Sequence, residues 1–137
     1  MPLRVPVEEY TTPNPVTATE DLSIEELRQC MDAHGVRHLP VMRGDAVVGV
    51  ISERDLRLVE GLSREHRFQV QARDLLRTDP VSVRADTPLD DVAYVMSDRK
   101  IGSVIVTEAD GSFLGIFTVT DALNALIEVS RARPSSR

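Results

Sequence analysis

The sequence predicts an α/β fold made of two repeated strand-helix-strand-strand-helix units packed about a pseudo-two-fold axis. Three observations carry that prediction. Shifted against itself by 65 positions, the chain brings its halves into register: Val5 falls on Val70, Pro15-Val16-Thr17 on Pro80-Val81-Ser82, Asp21 on Asp86, Met31 on Met96, Val36 on Ile101 and Val41 on Val106. Beyond the next turn the offset becomes 66, and Gly49, Ser52 and Asp55 fall on Gly115, Thr118 and Asp121. Within each copy, apolar residues recur first at helical and then at strand spacing, in the same order. Two copies are too few for a solenoid, whose repeats need several neighbours to bury their faces, so two units facing each other is the natural arrangement.

Each unit opens with a short extended segment, 15–18 or 80–83, and an acidic turn. The first helix starts near Ser23, where Ser23-Ile24-Glu25-Glu26 has capping-box spacing. Its counterpart starts at Thr87, with Pro88 expected at the first helical position, where no N–H is needed. Ile24, Leu27 and Met31 form an apolar stripe that Leu89, Val92 and Met96 repeat. Gly35 supplies a left-handed stop to the first helix, whereas the second unit has Lys100 there, a residue less suited to that conformation. Strands follow over 36–42 and 47–51, and over 101–107 and 113–117, the latter pair joined by a turn containing Asp110-Gly111. Val104-Ile105-Val106 is a continuous apolar run, as in a strand covered on both faces. A second helix follows each strand pair, over at least 55–59 and about 120–129.

The expected organisation is a first repeat with its lead-in over 1–60, a linker over 61–69, a second repeat over 70–130 and a disordered tail over 131–137. Hydrophobic residues make up 42% of the chain, enough for a core, and charged residues 28%, which suits a soluble surface. No apolar run is long enough to cross a membrane. The opening Met1–Pro6 has no apolar signal-peptide core, and the single cysteine, Cys30, cannot form an internal disulfide. A cytoplasmic location is therefore expected. The net charge of −6 and the absence of a basic stripe argue against nucleic-acid binding. An anionic ligand would have to rely on local arginines and helix N-termini.

With these motifs in view, each unit resembles a CBS motif, the regulatory domain named after cystathionine β-synthase, and the tandem pair resembles a Bateman module. The matching residues are Pro-Val-Thr at 15–17, Pro-Val-Ser at 80–82, Gly35-Val36-Arg37-His38-Leu39-Pro40-Val41, Gly49 through Asp55, and Gly115 through Asp121. The resemblance covers about residues 5–129. It implies an adenine nucleotide or related adenosyl compound (AMP, ADP, ATP or similar) held in a cleft between the repeats, with no obligatory cofactor. It implies that Asp55 and Asp121 hold ribose hydroxyls, that Ser52 and Thr118 approach phosphate, and that Pro40 and the residues before each Pro-Val pair line the base pocket. The wider ligand set it implies includes Thr17, Arg37, His38 and Arg54 in the first repeat. In the second it includes Ser82, Lys100, Ser103, Ile105 and Thr120.

Elementary chemistry supports these roles. A carboxylate can accept both hydrogen bonds of a cis-diol, and a hydroxyl just before a helix sits beside free N–H groups and the positive end of the dipole. The same Ser/Thr-x-x-Asp spacing is also that of a capping box with Asp in place of Glu, so a structural role competes at each site. Arg54 and Arg57 are candidates to neutralise phosphate beside the first motif. The second motif has Val119 and Thr120 at the corresponding place, and Arg99 and Lys100 are its nearby cations. Ile105 also stands where the first repeat has Pro40.

Cys30, His34 and His38 are spaced four apart, but Gly35 ends the helix before His38, so a shared metal is not expected. Instead, Cys30 is expected as a small buried residue, His34 near the helix C-terminus and His38 lining the cleft. The sequence has no nucleophile elbow, phosphate loop or zinc-protease motif, and an enzyme is not expected. The resemblance implies a homodimer that covers apolar helix faces such as those bearing Leu56, Val59, Leu123 and Leu126. The functional expectation is a regulatory adenosyl-ligand sensor acting on a separate effector protein. The alternative is a non-binding structural or interaction scaffold, favoured by the departures in the second repeat.

Overall fold

The computed structural model describes residues 4–76 and 79–132, and they group into two compact units, Pro15–Pro80 and Met1–Asn14 with Val81–Arg137. Both have the expected mixed architecture.

In Pro15–Pro80, β2 (Ala18–Thr19) runs parallel to β3 (His38–Arg43), which pairs antiparallel with β4 (Ala46–Ser52). Helix α1 (Ile24–His34) precedes β3, and α2 (Glu53–Glu60) follows β4. Ser23 and Glu26 form the anticipated capping box, satisfying two orphan N–H groups reciprocally. Gly35 closes α1 in the left-handed region at φ 63°. The α1 stripe Ile24, Leu27 and Met31 buries against Leu39, Val41, Ile51 and Leu56. Leu56 is fully buried and Val59 packs on that same core, so neither belongs to an uncovered face as the sequence suggested.

In the other unit the sheet order is β1 (Thr12–Pro13), β7 (Phe113–Thr118), β6 (Ser103–Thr107) and β5 (Ser82–Arg84). Helices α4 (Leu89–Arg99) and α5 (Val119–Ala132) complete it, over a core built from Leu89, Val92, Met96, Val104, Val106, Phe117 and Ala125. Pro88 is the N-cap rather than the first helical residue: its backbone is extended, and its carbonyl accepts from Asp91 and Val92. Lys100 does adopt the left-handed conformation, at φ 57°, where Gly35 stands in the other repeat.

The units do not follow the boundaries of the repeats. The lead-in of each repeat packs into the other unit. Val7 is fully buried in the β5–β6–β7 core, and its N–H donates to the Thr87 carbonyl at 2.8 Å. Its counterpart Ala72 is fully buried in the β2–β3–β4 core and donates to the Leu22 carbonyl at 2.9 Å. The glycines at the matched strand positions make room for these crossings. A Cβ on Gly49 would come within 2.5 Å of the Leu76 side chain, and one on Gly115 would collide with the backbone of Thr12.

The expected linker 61–69 contains a short helix, α3 (Arg64–Phe68), capped by the Ser63 hydroxyl. Arg131 and Ala132, assigned to the tail, are the last turn of α5; the remainder of the tail, 133–137, lies outside the described residues. Among the described residues no helix is long and apolar enough to cross a membrane.

Candidate functional site

Strand pairing brings the candidate residues of each unit to one end of its sheet. In Pro15–Pro80, His38 at the start of β3 stands opposite Ser52 at the end of β4. The Glu53 N–H, first in α2, donates to the Arg37 carbonyl at 2.8 Å, which ties the segment before β3 to the helix start. Ser52 N–H donates to Asp55 Oδ2 at 2.9 Å, and Asp55 N–H donates back to Ser52 Oγ at 3.2 Å. Arg37, His38, Ser52, Arg54 and Asp55 therefore cluster around one helix N-terminus. Pro40 is buried two residues further along β3, opposite Val50. Thr17 is exposed and immediately precedes β2.

The second unit repeats this arrangement. Ser103 opens β6 opposite Thr118 at the end of β7, and Val119 N–H donates to the Gly102 carbonyl at 3.2 Å. Thr118 N–H donates to Asp121 Oδ2 at 2.9 Å, and Asp121 N–H donates to Thr118 Oγ1 at 3.4 Å. Ser82 of β5 lies opposite Ile105 of β6. Ile105 is buried but stands outside the hydrophobic cluster that fills its unit. Lys100 and Thr120 are exposed, the first in the turn before β6 and the second in the first turn of α5.

Both Ser/Thr-x-x-Asp motifs are thus capping boxes. That does not exhaust the carboxylates, since each ionised group has about four acceptor positions. Helix N-terminus, hydroxyl and carboxylate together offer N–H groups to an anion and acceptors to a diol.

One contact was not legible in the sequence. The Thr12 hydroxyl, on the crossing lead-in, donates to Asp121 Oδ1 at 3.3 Å. Thr12 and Asp121 are far apart in the chain, and the β1–β7 pairing helps bring them together. Arg57, a candidate phosphate contact, donates to Glu53 at 2.8 and 3.1 Å in an ion pair along α2. Arg54, one turn earlier, is exposed.

His38 is half-buried, and desolvation holds its imidazole below the ordinary value. Arg37 acts in the same direction and Asp55 opposes it. The unfolded chain therefore binds more protons at His38 than the folded chain does. The stability contributed by keeping the ring neutral is complete above the ordinary pKa of about 6.5 and is lost as pH falls below it. Urea midpoints should fall between pH 7.5 and pH 5.5 by more in wild type than in His38→Gln. An equal fall in both would contradict this role.

His34 and Cys30 do not converge with His38. His34 donates from Nδ1 to the Cys30 carbonyl at 2.9 Å at the end of α1, and His38 lies beyond Gly35 in β3. Cys30 is half-buried rather than fully buried.

Comparisons with known proteins agree with the fold. The chain is 26% identical to CBSX2, solved in complex with AMP, over 92% of this chain and 98% of that one, with a TM-score of 0.79. It is also 26% identical to an uncharacterized conserved protein from Pyrococcus horikoshii, over 100% of both chains, at the same TM-score of 0.79. A curated relative, the inosine-5'-monophosphate dehydrogenase of Korarchaeum cryptofilum (strain OPF8), is 28% identical over 106 residues, 77% of this chain. The chain spans only 21% of that enzyme's length. The family model for the CBS domain matches residues 7–60 and again 72–128. The chain belongs to the CBS domain family and carries two of its domains in tandem.

Proposed function

We propose that this tandem pair is a regulatory sensor of an adenosyl ligand, of the AMP, ADP or ATP type, that acts on a separate effector protein rather than catalysing a reaction. The observation that carries the reading is the doubled site. In each unit a hydroxyl, a carboxylate and a helix N-terminus are assembled by the same strand register, with Asp55 in one and Asp121 in the other. A cap alone requires only the Ser/Thr and Asp. It does not require His38 and Arg37, or Ser103, to be drawn to the same place. The AMP carried by CBSX2 supports the ligand class.

Asp55 and Asp121 would accept from ribose hydroxyls, with Ser52 and Thr118 beside phosphate. Arg54 is the cation at the first site and Lys100 at the second. Thr17, Arg37, His38, Pro40, Ser82, Ser103, Ile105 and Thr120 complete the proposed contacts. The active assembly is a homodimer working in the cytoplasm. A ligand shifts a conformational equilibrium only by its differential affinity for the two states, so sensing requires one state to bind more tightly.

Thermal unfolding with AMP, ATP, S-adenosylmethionine and GMP tests the reading. A ligand at a hundred-fold excess over its dissociation constant should add roughly 2.7 kcal/mol, raising Tm by on the order of 5 °C. GMP should give no shift. No shift from any adenosyl compound would leave the fold standing and favour the interaction scaffold.

A further inference from the structure

The segment expected as a linker carries a helix that adds nothing to the core. Helix α3 has no buried residue, and its Phe68 is 68% exposed. Residues of α3, of the first turns of α1 and of the end of α2 line one cavity of about 750 Å³. The cavity lies at the Glu60 end of α2, about 10 Å along the helix from Glu53, and so apart from the Ser52–Asp55 site. Three guanidinium groups line it, and they are not equivalent. Arg28 is neutralised, donating to Glu60 at 2.9 and 2.7 Å and to Glu53 at 3.2 Å. Among the described residues neither Arg64 nor Arg67 forms an ion pair. Arg64 lies over the Phe68 ring, 5.5 Å from its centre. Arg67 donates from Nη1 to the Glu60 carbonyl at 3.4 Å, while its Nε is buried without a protein partner.

We infer that this cavity is a docking groove for an acidic segment of a partner protein, with carboxylates on Arg64 and Arg67 and an apolar side chain on Phe68. The inference needs no adenosyl ligand and shares with the sensor reading only that a separate protein is engaged. A guanidinium presents a fork of donors that matches a carboxylate, and a buried N–H without an acceptor is a cost that an incoming oxygen removes. Stacking on Phe68 holds Arg64 in place beforehand, so less freedom is lost when it pairs. Size argues for more than a bare anion: the cavity is in the range that encloses a molecule of several residues' bulk, and an inorganic ion would leave the exposed ring without a partner. The chain carries a net charge of −6, so an acidic segment is recognised by these local cations and not by the long-range field. Two carboxylates also line the cavity. Glu60 is bonded to Arg28, which leaves the exposed Glu25 as the group that opposes an acidic occupant.

Fluorescence anisotropy of a labelled, acetylated hexapeptide of alternating glutamate and leucine tests this on the full chain without nucleotide. Wild type should bind the peptide at micromolar concentrations, and more weakly as sodium chloride is raised. A hexapeptide of alternating lysine and leucine should not bind. Arg64→Glu and Phe68→Ser should each weaken binding roughly ten-fold or more. Both side chains are exposed, so circular dichroism and Tm should not change. Glu25→Gln should tighten binding about two-fold, because a like charge is removed. Millimolar inorganic phosphate should not displace the peptide. No binding by wild type, or equal binding by Arg64→Glu, overturns the groove and leaves the adenosyl-ligand reading untouched. Displacement by phosphate would make the cavity a small-anion site, and weaker binding by Glu25→Gln would make Glu25 a contact for a cation. Either result overturns the assignment to an acidic segment.

Discussion

Gly115→Ala lowers stability by about 2–3 kcal/mol, the upper part of the roughly 1–3 kcal/mol range for forcing extra volume into a packed site. Gly115 pairs with Pro13 across the β1–β7 ladder, and the Cβ that alanine adds would overlap the Thr12 carbonyl. Backbone cannot rotate away as a side chain can, so β1 must leave the sheet edge. Thr12 would leave with it, and Asp121 would lose the hydroxyl that donates to Oδ1. Gly49→Ala is the internal control: its Cβ meets the far end of the Leu76 side chain, which can change rotamer. Its cost should be below about 1 kcal/mol. Urea denaturation of both variants tests the contrast. Equal losses would mean that the Thr12–Pro13 crossing is not held as described.

Asp55→Asn and Asp121→Asn should each weaken adenosyl-ligand affinity at their own site by roughly 10–100-fold, the worth of a hydrogen bond to a charged group at about 1.5–3 kcal/mol. Asparagine is the informative substitution because the carboxylates also cap helices. An amide oxygen can still accept from Ser52 or Thr118 N–H, so the helix start is retained while the charge is lost. Alanine removes both and costs about 1 kcal/mol of stability besides. Affinity measured alongside Tm distinguishes the two roles. A variant that loses stability but binds normally would mark its aspartate as a cap and nothing more.

The fold was legible wherever a backbone requirement had a residue to announce it. Gly35 at positive φ, the Ser23–Glu26 box and the repeated Pro and Gly positions are local facts, decided within a few residues. The crossing of the lead-ins was not legible. Val7 and Ala72 are apolar and fit either core equally well by pattern, so only the three-dimensional path of the chain decides which core takes them. Helix α3 escaped because five residues carry too little periodicity to register. Leu56 and Val59 were misplaced for a related reason: α2 spans eight residues, and which side of so short a helix faces inward depends on its neighbour.

At the site, repeat register marked the Ser/Thr-x-x-Asp motifs, and the resemblance supplied the residues expected around them. Thr12 could not be found that way, because its partner Asp121 is brought to it by tertiary pairing. Arg57 could have been: Glu53 lies four residues before it, the favourable order for an ion pair along a helix.

The most direct measurement is a calorimetric titration of AMP into wild type and into Asp55→Asn/Asp121→Asn, with both proteins shown to be folded at the same temperature. The account predicts micromolar binding to wild type that disappears in the double variant. Binding of equal strength to both would place the ligand elsewhere and contradict the assignment of the two aspartates.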